Sequence, residues 1–232
     1  MRLTNAVKAD LRFQWKHGFF LIYFILTLLY LLIVNFLPEE ILPVVVPVLI
    51  FSDPAILGLF FVGGILMLEQ VQGVLLMLSV SPLRVWEFIL SKVVSLTIVS
   101  VLSGVVLAAF TVGNSVNYLF LIAGIVLSSG FFTLFGVIIG SGCTNVNQYF
   151  VRMIPYMILM VIPCISMFFP DVSRWLIWIP GVAGLKLMMN AFGSIYNFET
   201  IGLTLYLLAL DYYMFRLSVK VFETKMIYKE GL

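Results

Sequence analysis

Hydrophobic positions run almost unbroken along this chain, and the few polar interruptions divide it into blocks of similar length. Gly18 to Leu37 carries no charge and matches the roughly 20 residues a helix needs to cross the hydrocarbon core of a bilayer. Val44 to Leu68 forms a second block. Val93 to Val151 contains no charged residue at all and is too long for one crossing. The polar turn Gly113-Asn114-Ser115-Val116-Asn117 splits it into spans over Val93–Val112 and Tyr118–Ile139. Met153 to Phe169 and Thr200 to Leu217 complete six spans. Thr4 to Lys16 has a different pattern. Val7, Leu11 and Trp15 repeat every four residues beside a stripe of Lys8, Arg12 and Lys16, which predicts an amphipathic helix lying in the headgroup region.

The interruptions have their own character. Pro38, Glu39, Glu40 and Pro43 make the first turn. Pro47 and Pro54 each remove a backbone donor, so the second span is expected to kink or break near Ser52-Asp53-Pro54, with Gly58, Gly63 and Gly64 allowing close approach beyond it. Gly140 to Arg152 reads as a short polar loop, and Pro155 and Pro163 interrupt the fifth span. Pro170 to Phe198 is the longest connector and stays apolar; Trp175, Trp178 and Pro180-Gly181 suit helices that lie at the interface or dip into the membrane.

Glu69 to Lys92 stands out. Gly73 ends one helix, Val74 to Val80 is apolar, and Ser81-Pro82 opens the next helix, with Glu87 in its first turn, where a negative charge suits the helix dipole. A short helix parallel to the membrane would present Leu76, Met77, Ser79 and Val80. The alternative is a loop that only turns the chain.

Composition settles the solvent. Apolar residues make up 62% of the chain and charged ones 10%, far below the roughly 25% of soluble domains. With six crossings and both termini inside, Arg2, Lys8, Arg12, Lys16, Arg84, Lys92, Arg152, Arg216, Lys220, Lys225 and Lys229 fall on the cytoplasmic side. That is 11 of the 13 bases, leaving Arg174 and Lys186 outside. The first apolar run is too long for a cleavable signal. The bases before it mark a cytoplasmic flank and not a nucleic-acid surface. Cys143 and Cys164 have no metal or redox spacing and read as apolar filler, and His17 reads as an interfacial residue.

Candidate chemistry is sparse. An acid within a span is costly, which singles out Asp53, next to Pro54. It attracts a cationic amphipath, pairs with a polar group on another helix, or caps the half-helix that starts at Pro54. Asp211 is expected to pair with Arg216 or a neighbour. Asn35, Ser103, Thr111 and Thr133 read as isolated polar groups bonded to their own backbone or to an adjacent helix. No paired acids with His, H-E-x-x-H or G-x-S-x-G occur, so an intramembrane enzyme is not expected. No G-x-x-x-x-G-K-[ST] occurs either, so ATP chemistry in the P-loop manner would belong to another chain.

Glu69, Gly73, Leu75 to Leu78, Pro82, Trp86-Glu87 and Lys92, in that order, resemble the coupling segment of type-2 ABC exporter permeases. Ser52-Asp53-Pro54 with Gly58 resembles the second span of small fluoroquinolone-type drug export permeases. The first resemblance covers the whole chain. It implies an all-α polytopic permease with an interface helix, six transmembrane helices, a cytoplasmic coupling helix between spans two and three, and an interfacial or re-entrant connector before span six. It also implies a bacterial plasma membrane, a second permease copy, and a separate P-loop ATPase that holds ATP and Mg, with no cofactor in this chain. The substrate would be a small amphipathic compound moved by alternating access between spans one, two and five of two copies. Glu69, Gly73, Leu76, Met77, Val80, Pro82, Trp86, Glu87 and Lys92 are then the coupling residues, and Asp53 and Pro54 the candidates for the substrate path. The chain departs from the family at Gln70-Val71-Gln72, Val74 and Leu76, where relatives are more charged, so its docking surface is expected to be more apolar. The rivals are a haem- or cytochrome-maturation permease and a membrane sensor or assembly protein that transports nothing.

Overall fold

A computed structural model describes residues 2–74, 78, 83–113, 116–169, 175–193 and 198–227, and among these it is helical with no strand. Helix α1 covers Arg2–Lys16 and α2 covers Phe19–Asn35, with Gly18 between them at a φ of 79°. That left-handed conformation is easily reached by glycine, and it turns the chain by 67° from α1 into α2. Helix α3 spans Leu42–Ser52 and α4 spans Leu59–Val71. Helix α5 is Val85–Thr111, α6 is Tyr118–Gly140, α7 is Val146–Val161, α8 is Pro180–Ala191 and α9 is Phe198–Phe222.

Among the described residues, four stretches are long and apolar enough to cross a membrane: Glu39–Val71, Val85–Thr111, Tyr118–Gly140 and Val146–Met167. A fifth appears if the bent pair α1–α2 counts as one. Helix α2 alone has 17 residues, and α9 has 25 but carries Glu199, Asp211, Arg216 and Lys220.

Several boundaries differ from the sequence reading. The second span does not break at Pro54. Asp53–Gly58 is a wide π-helical turn that carries the helix from α3 into α4. Proline has no N–H and its ring crowds the carbonyl four residues back; an extra residue in the turn absorbs both effects. The third helix starts at Val85, eight residues before the expected span, so Trp86, Glu87 and Lys92 sit in its first turns. The polar loop after α6 is also shorter than expected, because the Asn145 side chain accepts from Gln148 N–H at 2.8 Å and starts α7 at Val146.

Helix α6 is the central post, packed against α3, α4, α5, α7, α8 and α9. Tyr149 of α7 is fully buried and donates to the Leu59 carbonyl at 2.5 Å, with its ring lying on Gly63 of α4. Of Gly58, Gly63 and Gly64, only Gly63 has a neighbour so close that a side chain there would overlap it. In the long connector, α8 buries Val182, Ala183, Leu185, Leu187 and Met188 against the core, while Trp175 and Trp178 are exposed.

The helices sort their ends. Phe88 at the start of α5 packs on Phe222 at the end of α9, and Arg152 Nη1 reaches the Gly142 carbonyl just beyond α6. The opposite end holds the Asn117 N–H to Ala191 carbonyl bond at 2.9 Å and the Lys186–Glu199 ion pair.

Candidate functional site

Three charges are buried together where α1, α4 and α5 meet. Lys92 is 1% exposed, Glu69 4% and Asp10 7%, and the Lys92 ammonium pairs with both carboxylates. Ser91 Oγ adds a donor to Asp10 at 2.5 Å, and the Gln14 side-chain amide donates to Ser95 Oγ at 2.8 Å one turn further along. The Lys92 Nζ also stands 4.6 Å from the centre of the Phe88 ring. An isolated ion would not be tolerated at such a depth; the two acids and the base hold one another there.

This cluster changes the reading of α1. The side that packs against α5 is led by polar residues, with Val7 and Leu11 only half-buried. Asp10 and Gln14 are buried, while Trp15 is 74% exposed. Sequence reasoning missed Asp10, although it is the only acid in a helix with four bases.

Glu69 and Lys92 are the two ends of the segment expected to couple. Both point inward and touch each other, so the segment's ends are tied together and to α1. Gly73, at a φ of 72°, closes α4 by donating to the Gln70 carbonyl at 3.0 Å. Glu87 is also inward, 8% exposed, and accepts from the Arg84 N–H at 2.8 Å; it fixes where α5 begins. Trp86 is 38% exposed and borders a groove with Tyr213, Arg216, Lys220 and Glu223. Leu78 is buried. Leu76, Met77, Val80 and Pro82 lie outside the described residues.

Asp53 belongs to a second polar cluster within the apolar body. It is 2% exposed and accepts from Ser103 Oγ at 2.5 Å, and Ser103 is 2.9 Å from Thr27 Oγ1. Thr27 also donates to the Tyr23 carbonyl, and the Tyr23 hydroxyl lies 3.3 Å from Ser100 Oγ. The Tyr30 hydroxyl meets Ser52 Oγ at 2.7 Å. These contacts join α2, the turn at Asp53–Gly58 and α5. Asp53 has helical backbone angles, φ −62° and ψ −59°, and bonds across to another helix, so it does not cap a half-helix at Pro54. Pro54 is buried in the same turn. Ser103 thus bonds to adjacent helices, one of the two outcomes expected for it. The spacing of Tyr23 with Thr27 and of Ser100 with Ser103 puts each pair on one helix face, a signal available in the sequence. Thr111 does bond its own backbone, at the Leu107 carbonyl, as expected.

Asp211 departs from expectation. Among the described residues it forms no ion pair with Arg216; its carboxylate lies beside Gly130 of α6.

The family model for the fluoroquinolones export permease protein family matches residues 1–230. Two curated proteins named fluoroquinolones export permease protein, from Mycobacterium tuberculosis strains CDC 1551 and H37Rv, are each 29% identical over 197 residues, covering 84% of this chain and 82% of theirs. With apolar helices long enough to cross a membrane, and with a match over nearly its whole length, this chain belongs to the fluoroquinolones export permease protein family.

Proposed function

We propose that this chain is the membrane subunit of an ATP-driven ABC exporter. It crosses the membrane six times with both termini inside, forms the path with a second copy, and receives force from a separate P-loop ATPase. The observation that carries this reading is the joint at Glu69–Lys92. The segment connects the end of α4 to the start of α5, and its ends are fastened to each other and to α1 by the Asp10–Lys92–Glu69 cluster. A push on such a segment moves α1, α4 and α5 as one body, which is the rigid-body motion that alternating access needs.

In this reading Glu69, Glu87 and Lys92, which are buried, position the coupling segment. Contact with the ATPase falls to exposed Trp86 and to Leu76, Met77, Val80 and Pro82, with Gly73 setting the exit angle. The six crossings are supported by direction: α2, α5 and α7 run away from the end that holds Lys92 and Arg152, and α3–α4, α6 and α9 return to it. Helix α8 dips into the bundle without crossing. The exposed apolar faces of α2 and α7 offer the surface for a second copy. Asp53 and Pro54 sit where α2, the wide turn and α5 touch, so movement of span two during export would act on them directly. The names of the relatives make a fluoroquinolone the first substrate to test.

The test is co-expression with a P-loop ATPase encoded beside this chain. The two proteins should co-purify, and vesicles containing both should take up fluoroquinolone only with ATP. Transport by this chain without any ATPase, or failure of every neighbouring ATPase to bind, would overturn the reading. Asp53→Asn separates two roles for the second cluster: a path residue predicts a larger loss for cationic than for neutral compounds, and a purely structural one predicts equal losses.

A further inference from the structure

Helices α5, α6 and α9 enclose a groove of about 590 Å³ whose walls are almost wholly apolar. Leu102 and Ile98 line one side, Ile122 and Val126 the other, and Asp211 is the only charged residue bordering it among the described residues. No residue of α2, α3, α4 or α7 takes part, so the groove is separate from the Asp53 cluster. Asp211 lies near the middle of α9, opposite Gly130 near the middle of α6. A Cβ at position 130 would stand 2.9 Å from Asp211 Oδ2, so the glycine leaves the space that the carboxylate occupies. The other oxygen, Oδ1, is buried with no hydrogen-bond partner. The neighbouring hydroxyl of Thr97 is spent on Ser129 Oγ at 3.0 Å, and among the described residues no base borders the groove.

A carboxylate midway along a helix of this apolar bundle is costly, and among the described residues no ion pair offsets that cost and one oxygen lacks even a hydrogen bond. An apolar trough with a single carboxyl group fits an organic cation with hydrophobic substituents, whose apolar part fills the trough and whose charge completes the missing pair. We infer that the α5–α6–α9 groove is a binding site for lipophilic organic cations taken from the bilayer, with Asp211 as the counter-charge. The site belongs to this chain alone. It needs no ATPase, so its failure and failure of the export reading are distinguishable.

The experiment measures equilibrium binding of tetraphenylphosphonium and of neutral triphenylphosphine oxide to the full chain in lipid nanodiscs. The cation should bind saturably and more tightly than the neutral probe. Asp211→Asn, close in shape, should weaken the cation at least about ten-fold and leave the neutral probe unchanged, as expected for loss of one charge contact. Val126→Trp should fill the trough and remove binding of both probes, with thermal unfolding confirming that the variant is folded. If it fails to fold, Leu102→Trp on the facing wall carries the same test. Equal affinity of both probes for the unaltered chain, or unchanged cation binding in Asp211→Asn, overturns the proposal. So does a tryptophan variant that dissociates a dimer while still binding the cation, which would make the groove a surface between copies.

Discussion

Lys92 shows how one side chain can belong to three helices. It leaves α5 and meets Glu69 at the end of α4 and Asp10 in α1, all three buried. Removing the base alone strands two buried acids. Lys92→Met is therefore expected to destabilise the protein by about 3–5 kcal/mol, read as a lower melting temperature in nanodiscs. Adding Asp10→Asn and Glu69→Gln to that variant should restore most of the loss, since no uncompensated charge then remains. If the triple variant melts no higher than Lys92→Met, the cluster is not held by charge. The importance of Lys92 was legible as the last base before 59 uncharged residues, Val93 to Val151. Its inward direction was not legible, because an outward lysine at a membrane boundary has the same sequence signature.

Helix packing here turns on a few close approaches. Tyr149 fills the space between α4 and α6, bonded to the Leu59 carbonyl and lying on Gly63. Gly63→Ala would push a methyl group into that ring, so a loss of about 1–3 kcal/mol is expected from overpacking. In a double-mutant cycle, Gly63→Ala should cost less in a Tyr149→Ala background than in the unaltered protein, as melting temperatures will show; additive losses would mean that the two residues do not press on each other. The sequence carries the glycines but not their neighbours. Gly58, Gly63 and Gly64 look alike in the chain, and only the fold brings Tyr149, 86 positions beyond Gly63, onto one of them. The same limit applies at Pro54. The missing donor was readable, whereas whether the helix breaks or widens depends on the helices around it, which here hold Asp53 through Ser103.

Over the whole molecule, charge distribution and helix direction agree. Arg152 and Lys92 gather at one end, and Lys186 with Glu199 at the other. In a background with Cys143 and Cys164 replaced by Ser, exposed Trp178→Cys should react with an impermeant maleimide in intact cells. Arg84→Cys, also exposed, should react only in inverted vesicles. Labelling of Arg84→Cys in intact cells would reverse the orientation. Residual ATP-driven transport by each cysteine variant would show that the labelled protein is the working one.

By itself, the sequence determined the solvent, the helical class, the approximate position of each long apolar helix and the singular nature of Glu69–Lys92. These follow from quantities that add along the chain: the length of an apolar run, the absence of charge, the side on which bases collect. Only the tertiary structure decided where the scattered polar groups go. Asp10, Glu69 and Lys92 become one cluster, Asp53 joins Ser103 and Thr27, and Asp211 borders a groove with no ion-pair partner among the described residues. Each outcome depends on contacts between residues far apart in the chain, and in a medium without water those contacts determine whether a charge is held, shared or left open for a ligand.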